Sequence, residues 1–589
     1  MASGKWREFF LILLLSFPFI FWGIGSISLL DPDEGMYGAI AREMAEKGDW
    51  ITPHFNGVRY LEKPPLYFWL TAITISLFGP SEWAVRLWSA LPALGTALLV
   101  WRLGRLLYGG PSGLLSAIIL LTSVGVFRYT RVAATDSLLV FSLALSLYGF
   151  VRAVQDKNPG DKSVRFGPFL FYLGMALGVL SKGLVGGLFP LLIAGLYLWF
   201  SGDRIAVKEM QLKWGVVLLL ALVLPWHFLA GWINRGFFEF YVLDNQFLRF
   251  FSSRGFIEDD VPVSTIAFVA LTFIWFFPWS MFLSMTLPHG FPDPRLAATA
   301  RERLRLLVGL WAITVFAFFS FSSSKLEHYV LPALPPLSLM VGALWGEAFS
   351  AAGPARGFKW LLAASALGCG LVGAALILLG DRLTPGSVFT WLAEINVYYR
   401  ILREQGISFP FSSVAPFASL ARGLGVGLVI GVPLSFVLFY LGARRASFGM
   451  LVGVAALTGI LIFRLLLIIE PHHSAKPIAL ALNTLARPEE AIIHEGSLEY
   501  SGSLPFYTGR QISVLNGKRG DLDFGSRYPE AQGAFLDDMD FARRWQNEER
   551  VFFVTRLQEP DNAPIRLALK NTFLLGRYGS RLLYSNYGP

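Results

Sequence analysis

Residues Asp31 to Pro65 read DPDEGMYGAIAREMAEKGDWITPHFNGVRYLEKPP, and this polar stretch lies between two strongly apolar segments. It combines clustered acids and bases with a histidine, tyrosines and a proline pair. Polar side chains are costly against lipid, so the stretch must lie at a membrane surface or in a cavity lined by protein. An ordinary surface loop is the simpler alternative, although short loops seldom carry so many acids and aromatics. The rest of the chain decides between the two.

The composition predicts a membrane protein. Of 589 residues, 54% are hydrophobic and only 15% are charged, whereas soluble proteins carry roughly a quarter charged residues. Apolar runs of spanning length recur, which is typical of a polytopic α-helical membrane protein. The net charge of +9 falls largely in short loops, where it reflects topology and favours membrane lipids with anionic headgroups rather than nucleic acid.

We predict thirteen transmembrane helices. The first follows Lys5 and Arg7 without a small-residue cleavage site, so we interpret it as a retained helix rather than a signal sequence. Leu66–Phe78 is too short to cross and suits a re-entrant or interfacial piece. The spans are expected at about 9–30, 82–101, 113–127, 137–151, 166–181, 184–200, 214–232, 264–287, 306–321, 329–348, 359–380, 420–442 and 448–469.

Basic loop residues indicate the orientation, because Lys and Arg concentrate on the cytoplasmic side. The basic loops fall on one face of the layout, which places the polar stretch, Lys182 and the C-terminus on the other face, the periplasmic one in a bacterium. These loops carry Lys5, Arg7, Arg102, Arg105, Arg152, Lys157, Lys162, Arg165, Arg204, Lys208, Lys213, Arg295, Arg301, Arg303, Arg305, Arg356, Arg444 and Arg445.

A change in composition after about residue 470 predicts two domains. Residues 1–470 form the membrane domain, within which 31–81 are the first outer loop with juxtamembrane helices. Residues 471–589 form a small α/β domain outside the membrane, with no glycine-rich phosphate motif. Its expected elements are strands at Ala491–His494, Gln511–Leu515, Val551–Val554 and Thr572–Leu575 and a polar helix at Leu536–Asn547.

Two acidic positions in the first outer loop are catalytic candidates. Asp33 and Glu34 open a helical pattern, Met36–Lys47, in which Tyr37 lies on the apolar face. An acid at a helix N-terminus can simply interact with the helix dipole. Asp136, which opens a membrane span, is the third catalytic candidate. It could also be a plain helix cap, or it could orient Lys63 or Arg131 in the site.

Cations on the same face predict a phosphate site. Lys63 is presented by the rigid Pro64–Pro65 pair beside Glu62. Lys182 lies in a tight turn between two spans, and Arg249, Arg254 and Lys325 lie near interfacial aromatics. Each could snorkel to the interface, but cations that converge on one face suit a phosphate or diphosphate.

The remaining candidates are weaker. His328 and Tyr329 open another span, where an aromatic belt is the default interpretation. Glu62 with His54 or His328 could hold a divalent metal ion, and no other cofactor is indicated. The single cysteine, Cys369, lies in an apolar run and excludes a disulfide framework.

The motifs DPDEGMYGAIAREMAEKGDW, GVRYLEKPPLYFWLTA, RVAATDSLLV, LSKG and KLEHYVLPALPP resemble those of bacterial aminoarabinose transferases. These enzymes and the related protein O-mannosyltransferase-like enzymes are C-type glycosyltransferases. The resemblance covers roughly the first 340 residues. It departs at Met36, where aminoarabinose transferases commonly carry Arg, and no motif matches after about residue 350.

The resemblance implies an inverting transfer of a sugar from polyprenyl phosphate, typically undecaprenyl phosphate, to lipid A, protein or another glycan. It implies that Asp33 is the catalytic carboxylate with Tyr37 beside it, and that Lys63, Lys182 and Arg249 bind the donor phosphate. By the same resemblance, Tyr60, Glu62, Asp136 and Tyr329 shape the site.

Two other functions are compatible with a polytopic chain. A transporter or flippase of a lipid-linked or anionic substrate would place ionisable groups at the midplane of broken helices and show internal repeats. The sequence shows no such repeat. A non-catalytic scaffold for envelope assembly is the other alternative.

Overall fold

The computed structural model describes most of the chain with its side chains. The candidate Arg254 and the loop residues Lys157, Lys162, Arg165 and Arg295 lie outside the described residues. The structure describes residues 2–155, 166–202, 204–251, 264–292, 299–323, 325–350, 353–380, 382–395, 397–404, 406, 408–518, 520–547, 549–556 and 559–588.

Long apolar helices dominate the first 473 residues. By length and composition, nine helices among the described residues can cross a membrane, or ten with one bent pair, and the count of thirteen stays a prediction. These nine are Glu82–Leu107, Asp136–Gln155, Leu184–Ser201, Leu212–Ile233, Arg301–Phe321, Glu327–Phe349, Phe358–Gly380, Ala415–Tyr440 and Arg444–His473. Shorter helices, some π-helical or 3-10, complete this part: Ala2–Ser16, Phe17–Phe21, Ser112–Leu121, Val124–Tyr129, Phe166–Lys182, Arg204–Glu209, Glu239–Leu248, Arg249–Phe251, Leu287–Gly290, Pro385–Ile395 and Val397–Glu404.

Several predicted spans are not single straight helices, and two of them show the cause of the break. The span expected at 264–287 consists of Thr265–Trp275 and Trp279–Met285, which meet at 115°. Pro278 lies at the bend, where it lacks an N–H and disfavours helical geometry in the residue before it. The span expected at 9–30 ends at Phe21, because Trp22 is extended and Gly23 has a φ of +77°.

The first outer loop folds as two helices with a hairpin between them. The helix Asp33–Lys47 ends at Gly48, whose φ of +74° closes the helix C-terminus. Strands β1 (His54–Phe55) and β2 (Val58–Arg59) pair through an Asn56–Gly57 turn, with both residues at positive φ. The helix Leu66–Phe78 follows with the predicted bounds.

After His473 the chain forms the expected small α/β domain. Its strands are β3 Ala491–Glu495, β4 Ser513–Leu515, β5 Phe535–Leu536, β6 Val551–Thr555, β7 Phe573–Tyr578 and β8 Arg581–Ser585. They form one sheet in the order β5-β4-β3-β6-β8-β7, in which β5, β4, β3 and β6 are parallel and β8 pairs antiparallel with both β6 and β7. The sequence patterns predicted four of these strands and missed β5, which has two residues, and β8. The main helices of the domain are Lys476–Leu485, Ser503–Thr508 and Asp538–Trp545.

A buried ion pair joins this sheet domain to the first outer loop. Arg581 is fully buried and donates to Asp31 Oδ2 at 2.6 Å and to the carbonyl of Ser474 at 3.0 Å. Asp31 Oδ1 also accepts from the backbone N–H of Ser503 at 2.6 Å. Through these contacts the sheet domain holds Asp31, the residue that opens the outer loop. The neighbouring His494 stays neutral, because burial lowers its pKa to about 3.

Replacing Arg581 with Ala is expected to destabilise the protein by about 3–5 kcal/mol, because the Asp31 carboxylate remains buried without its cation. Thermal unfolding in detergent measures the effect. Arg527→Ala is the matched control, since its ion pair with Asp523 is exposed and contributes about 0–1 kcal/mol. Equal unfolding midpoints for the two variants would show that the Asp31–Arg581 pair does not hold the domains together.

Candidate active site

Two adjoining cavities lie beside the first outer loop and share three side chains: Lys63, Lys182 and Tyr329. The first cavity, of about 200 Å³, is also bordered by the predicted residues Asp33, Glu34, Tyr37, Asp136 and His328. The second cavity, of about 110 Å³, is also bordered by the predicted residues Glu62 and Arg249. The structure thus brings these predicted residues to one place, while Tyr60 packs behind them against Phe68.

Glu62 holds two cations at the border of the second cavity. Its side chain is 2% exposed, and its Oε1 accepts from both Lys63 Nζ and Arg249 Nη1, the latter at 2.8 Å. Tyr60 Oη lies 3.5 Å from the other carboxylate oxygen. One carboxylate between two cations leaves a formal charge of +1, which suits an anionic ligand at the cavity border.

Asp136 organises a second cationic group. Lys182 Nζ donates to Asp136 Oδ1, and His328 Nε2 lies 3.7 Å from Asp136 Oδ2. The ammonium of Lys182 also lies 4.9 Å from the ring centre of Tyr329, a cation–π contact. Asp136 therefore contacts Lys182 and His328, two partners that the sequence interpretation had not named for it.

A glycine turn presents Lys182 to the cavities. Lys182 ends the helix Phe166–Lys182, and Gly183 follows with a φ of +83°, a conformation that side chains disfavour. Gln246 Oε1 accepts from the N–H of Leu184 at 3.1 Å and so satisfies the start of the next helix. The tight turn predicted from the sequence leaves the Lys182 ammonium facing the cavities.

The contacts of Glu34 favour a structural role over the catalytic role predicted from the sequence. Its side chain is 1% exposed and forms an ion pair with Arg86, which is fully buried. The carboxylate also accepts from the backbone N–H groups of Leu30 and Ala133 at 2.9 and 2.8 Å. These bonds and the two from Arg86 saturate both oxygens. We therefore assign Glu34 a positioning role.

Asp33 differs from Glu34 although the two are adjacent. It lies in the first turn of the helix Asp33–Lys47, is half-buried, and borders the first cavity together with Tyr37. Tyr37 packs its buried ring edge-on against Phe68, 5.6 Å between ring centres. The helix N-terminus stabilises a negative charge at Asp33. Of this acidic pair, Asp33 is the carboxylate that a substrate in the cavity can reach.

Sequence reasoning missed the buried Arg86 and the amide of Asn245, and it did not predict the contacts of the buried Arg131. Arg86 donates to the carbonyls of Ile24 and Ile27, and Arg131 donates to carbonyls near Phe19. Both hold the irregular backbone that follows the first helix. Asn245, in the second cavity, could have been noticed as an amide in an aromatic run.

The geometry does not assemble the metal site that the sequence allowed. Among the described residues, no group of three His, Cys, Asp or Glu side chains is spaced to hold a metal ion. His54 Nδ1 lies 3.9 Å from Asp49 Oδ2, and His328 Nε2 lies 3.7 Å from Asp136 Oδ2. Lys325, one of the cations predicted to lie on this face, donates a hydrogen bond to the backbone carbonyl of Ser322.

The chain is similar to several known proteins. The family model described as dolichyl-phosphate-mannose-protein mannosyltransferase matches residues 62–228. An undecaprenyl phosphate-alpha-4-amino-4-deoxy-L-arabinose arabinosyl transferase of Erwinia tasmaniensis is 27% identical over 91% of this chain and 90% of its own length. An uncharacterized protein of Aquifex aeolicus is 30% identical over 57% of this chain and 73% of its own length. The crystal structure of ArnT from Cupriavidus metallidurans bound to undecaprenyl phosphate superposes with a TM-score of 0.79 at 24% identity, covering both chains fully.

The fold is that of the C-type glycosyltransferases, and the family model and the names of the similar proteins identify a membrane glycosyltransferase. The resemblance of the sequence motifs and the wider comparisons point the same way. The chain belongs to the family of bacterial aminoarabinose transferase-like and protein O-mannosyltransferase-like glycosyltransferases.

Glu34→Ala is expected to lower the free energy of unfolding by about 3–5 kcal/mol, because Arg86 would be left buried without its partner. Asp33→Ala, one residue away in the same helical turn, is expected to cost about 1 kcal/mol or less through the helix dipole. Thermal unfolding of the two purified variants makes the comparison. A similar small change for both variants would contradict the structural role of Glu34.

Proposed function

We propose that the protein transfers a sugar from a polyprenyl phosphate donor, undecaprenyl phosphate in bacteria, to lipid A. The observation that carries this proposal is the convergence of Lys63, Lys182 and Arg249 on two joined cavities, with Asp33 at one of them. The names of similar proteins, which specify an undecaprenyl phosphate-linked arabinose donor, support it. A protein or glycan acceptor is the alternative within the same chemistry.

The second cavity fits the donor phosphate. Its border combines Lys63, Lys182 and Arg249 with the rings of Phe250 and Phe318. Cations can bind the phosphate while aromatic rings pack against the first isoprene units of the chain. The first cavity, which Asp33 and Asp136 border, then holds the acceptor, and the sugar lies where the two cavities meet.

The transfer breaks the bond between the anomeric carbon and the phosphate oxygen. The electron pair stays on the phosphate, and the acceptor oxygen forms the new bond from the opposite face of the sugar, with inversion. Lys63, Lys182 and Arg249 interact more strongly with the departing phosphate as its negative charge grows, which lowers the barrier. Asp33 takes the proton of an acceptor hydroxyl. For a phosphate acceptor the base is barely needed, and Asp33 then orients the sugar.

We also propose the membrane placement and the division into domains. The N-terminus faces the cytoplasm of a bacterial inner membrane, and the cavities and C-terminal domain face the periplasm. The positive-inside distribution of Lys and Arg supports this orientation. Residues 1–470 are then the transferase domain, and residues 471–589 brace its first outer loop, 31–81, from the periplasm.

Asp33→Asn, Lys63→Ala and Lys182→Ala are each expected to reduce sugar transfer at least about 100-fold, the typical effect of losing a catalytic acid–base or electrostatic group. The measurement is mass spectrometry of lipid A after reaction with undecaprenyl phosphate-linked 4-amino-4-deoxy-L-arabinose. Lys47→Ala is the control, because Lys47 is exposed, pairs with Glu43 and borders neither cavity.

Full transfer by all three folded variants would exclude these roles. If protein or another glycan carried the transferred sugar in place of lipid A, that molecule would be the acceptor. Movement of an intact lipid-linked sugar across the bilayer without transfer would support the transporter alternative.

The orientation can be tested with single cysteines in a Cys369→Ser background. A cysteine at the exposed position 543 of the C-terminal domain is expected to react with a membrane-impermeant maleimide in intact spheroplasts. A cysteine at the exposed position 102 is expected to react only after lysis. The reverse pattern would invert the proposed topology.

A further inference from the structure

The segment before Arg249 has an unusual backbone. Glu239–Leu248 is wound as a ten-residue π-helix, whereas π-helical geometry in proteins is mostly limited to single turns and is frequent at functional sites. The segment packs its buried Tyr241 against Trp226 and Phe237. Its last turn leads directly into Arg249, which contacts Glu62. This backbone fixes the side chains on the wall of the second cavity.

Asn245 lies on this wall, and both polar atoms of its side chain are unsatisfied within the part of the chain that the structure describes. Asn245 is 9% exposed, and neither its Oδ1 nor its Nδ2 has a hydrogen-bond partner among the described residues. Buried amides are normally hydrogen-bonded, because an unpaired polar atom away from water costs free energy. Its neighbour Gln246 is different, since its Oε1 accepts from Leu184. The amide of Asn245 is therefore placed for a partner outside the protein.

The position of Asn245 identifies the kind of partner. Asn245 borders the cavity that Lys63, Lys182 and Arg249 also border. A phosphate only accepts hydrogen bonds, and these three cations already provide its donors. An amide presents one donor and one acceptor side by side. A sugar hydroxyl both donates and accepts, and an amino substituent donates, so the amide matches the sugar better than the phosphate.

We propose that Asn245 is a specificity-determining residue that binds the sugar of the lipid-linked donor. This inference rests on the proposed function, because it takes the second cavity as the donor site. With the phosphate held by the cations and the sugar by Asn245, the anomeric carbon is fixed between two points. A site that pairs with polar groups of a sugar also rejects donors that lack them, because its amide would then remain unpaired.

The test compares two ligands on the variant Asn245→Leu, which keeps the side-chain size and removes both polar atoms. The ligands are undecaprenyl phosphate-linked 4-amino-4-deoxy-L-arabinose and bare undecaprenyl phosphate. We expect the Kd of the sugar-bearing donor to rise about tenfold, the effect of one or two hydrogen bonds. The Kd of bare undecaprenyl phosphate is expected to stay unchanged.

Stability provides the control. Asn234 is also a buried amide, but it bonds with Thr52 and with the carbonyl of Ala230. Asn234→Leu is therefore expected to lower the thermal midpoint, whereas Asn245→Leu is expected to keep or raise it, because it removes unsatisfied atoms.

Each result of the binding experiment is decisive. An equal loss of affinity for both ligands would place Asn245 on the phosphate and overturn the sugar assignment. Unchanged affinity for both would overturn it as well. Failure of the proposed function is seen separately, as wild-type protein that transfers no sugar to lipid A in the mass-spectrometric assay.

Discussion

Two buried arginines fix the short segment in which Asp33 lies. Arg581 pairs with Asp31 from the sheet domain, and Arg86 pairs with Glu34 from the helix Glu82–Leu107. Asp33 lies between these two anchored acids in sequence and borders the first cavity. Because breaking either buried pair would strand a charge without its partner, the segment has little freedom to move. The position of the proposed base is therefore set by groups that do not touch the substrate.

The cations are fixed in a comparable way. Glu62 joins Lys63 to Arg249, and Asp136 joins Lys182 to His328. Without these carboxylates, clustered positive charges would repel one another and turn toward solvent. With them, the cationic groups are arranged before a phosphate arrives, so less reorganisation is needed during the reaction. The acids at positions 62 and 136 act through the cations that they hold.

The sequence was informative about features that depend on residues close together in the chain. Span-length apolar runs predicted the membrane helices, and the density of charge between them predicted the outer loop. The proline pair and the tight turn correctly marked Lys63 and Lys182 as presented side chains. The sequence alone could not distinguish the role of Asp33 from that of Glu34. Adjacent acids on a helix point in different directions, and which of them is paired depends on where Arg86 lies in the folded chain. Asn245 was missed because its significance is that its amide has no hydrogen-bond partner among the described residues. Only the folded chain shows which polar groups are paired.

The shared border of the two cavities has a consequence for turnover. Lys63 and Lys182 line both cavities, so the phosphate produced by the proposed transfer stays bound to the cations that the next donor requires. The spent lipid then competes with fresh donor for the same place. In the proposed mechanism, release of the spent lipid past Phe250 and Phe318 into the bilayer, rather than the transfer of the sugar, then limits the rate of the catalytic cycle. Strong attraction for the leaving group thus makes the enzyme susceptible to inhibition by its own carrier lipid.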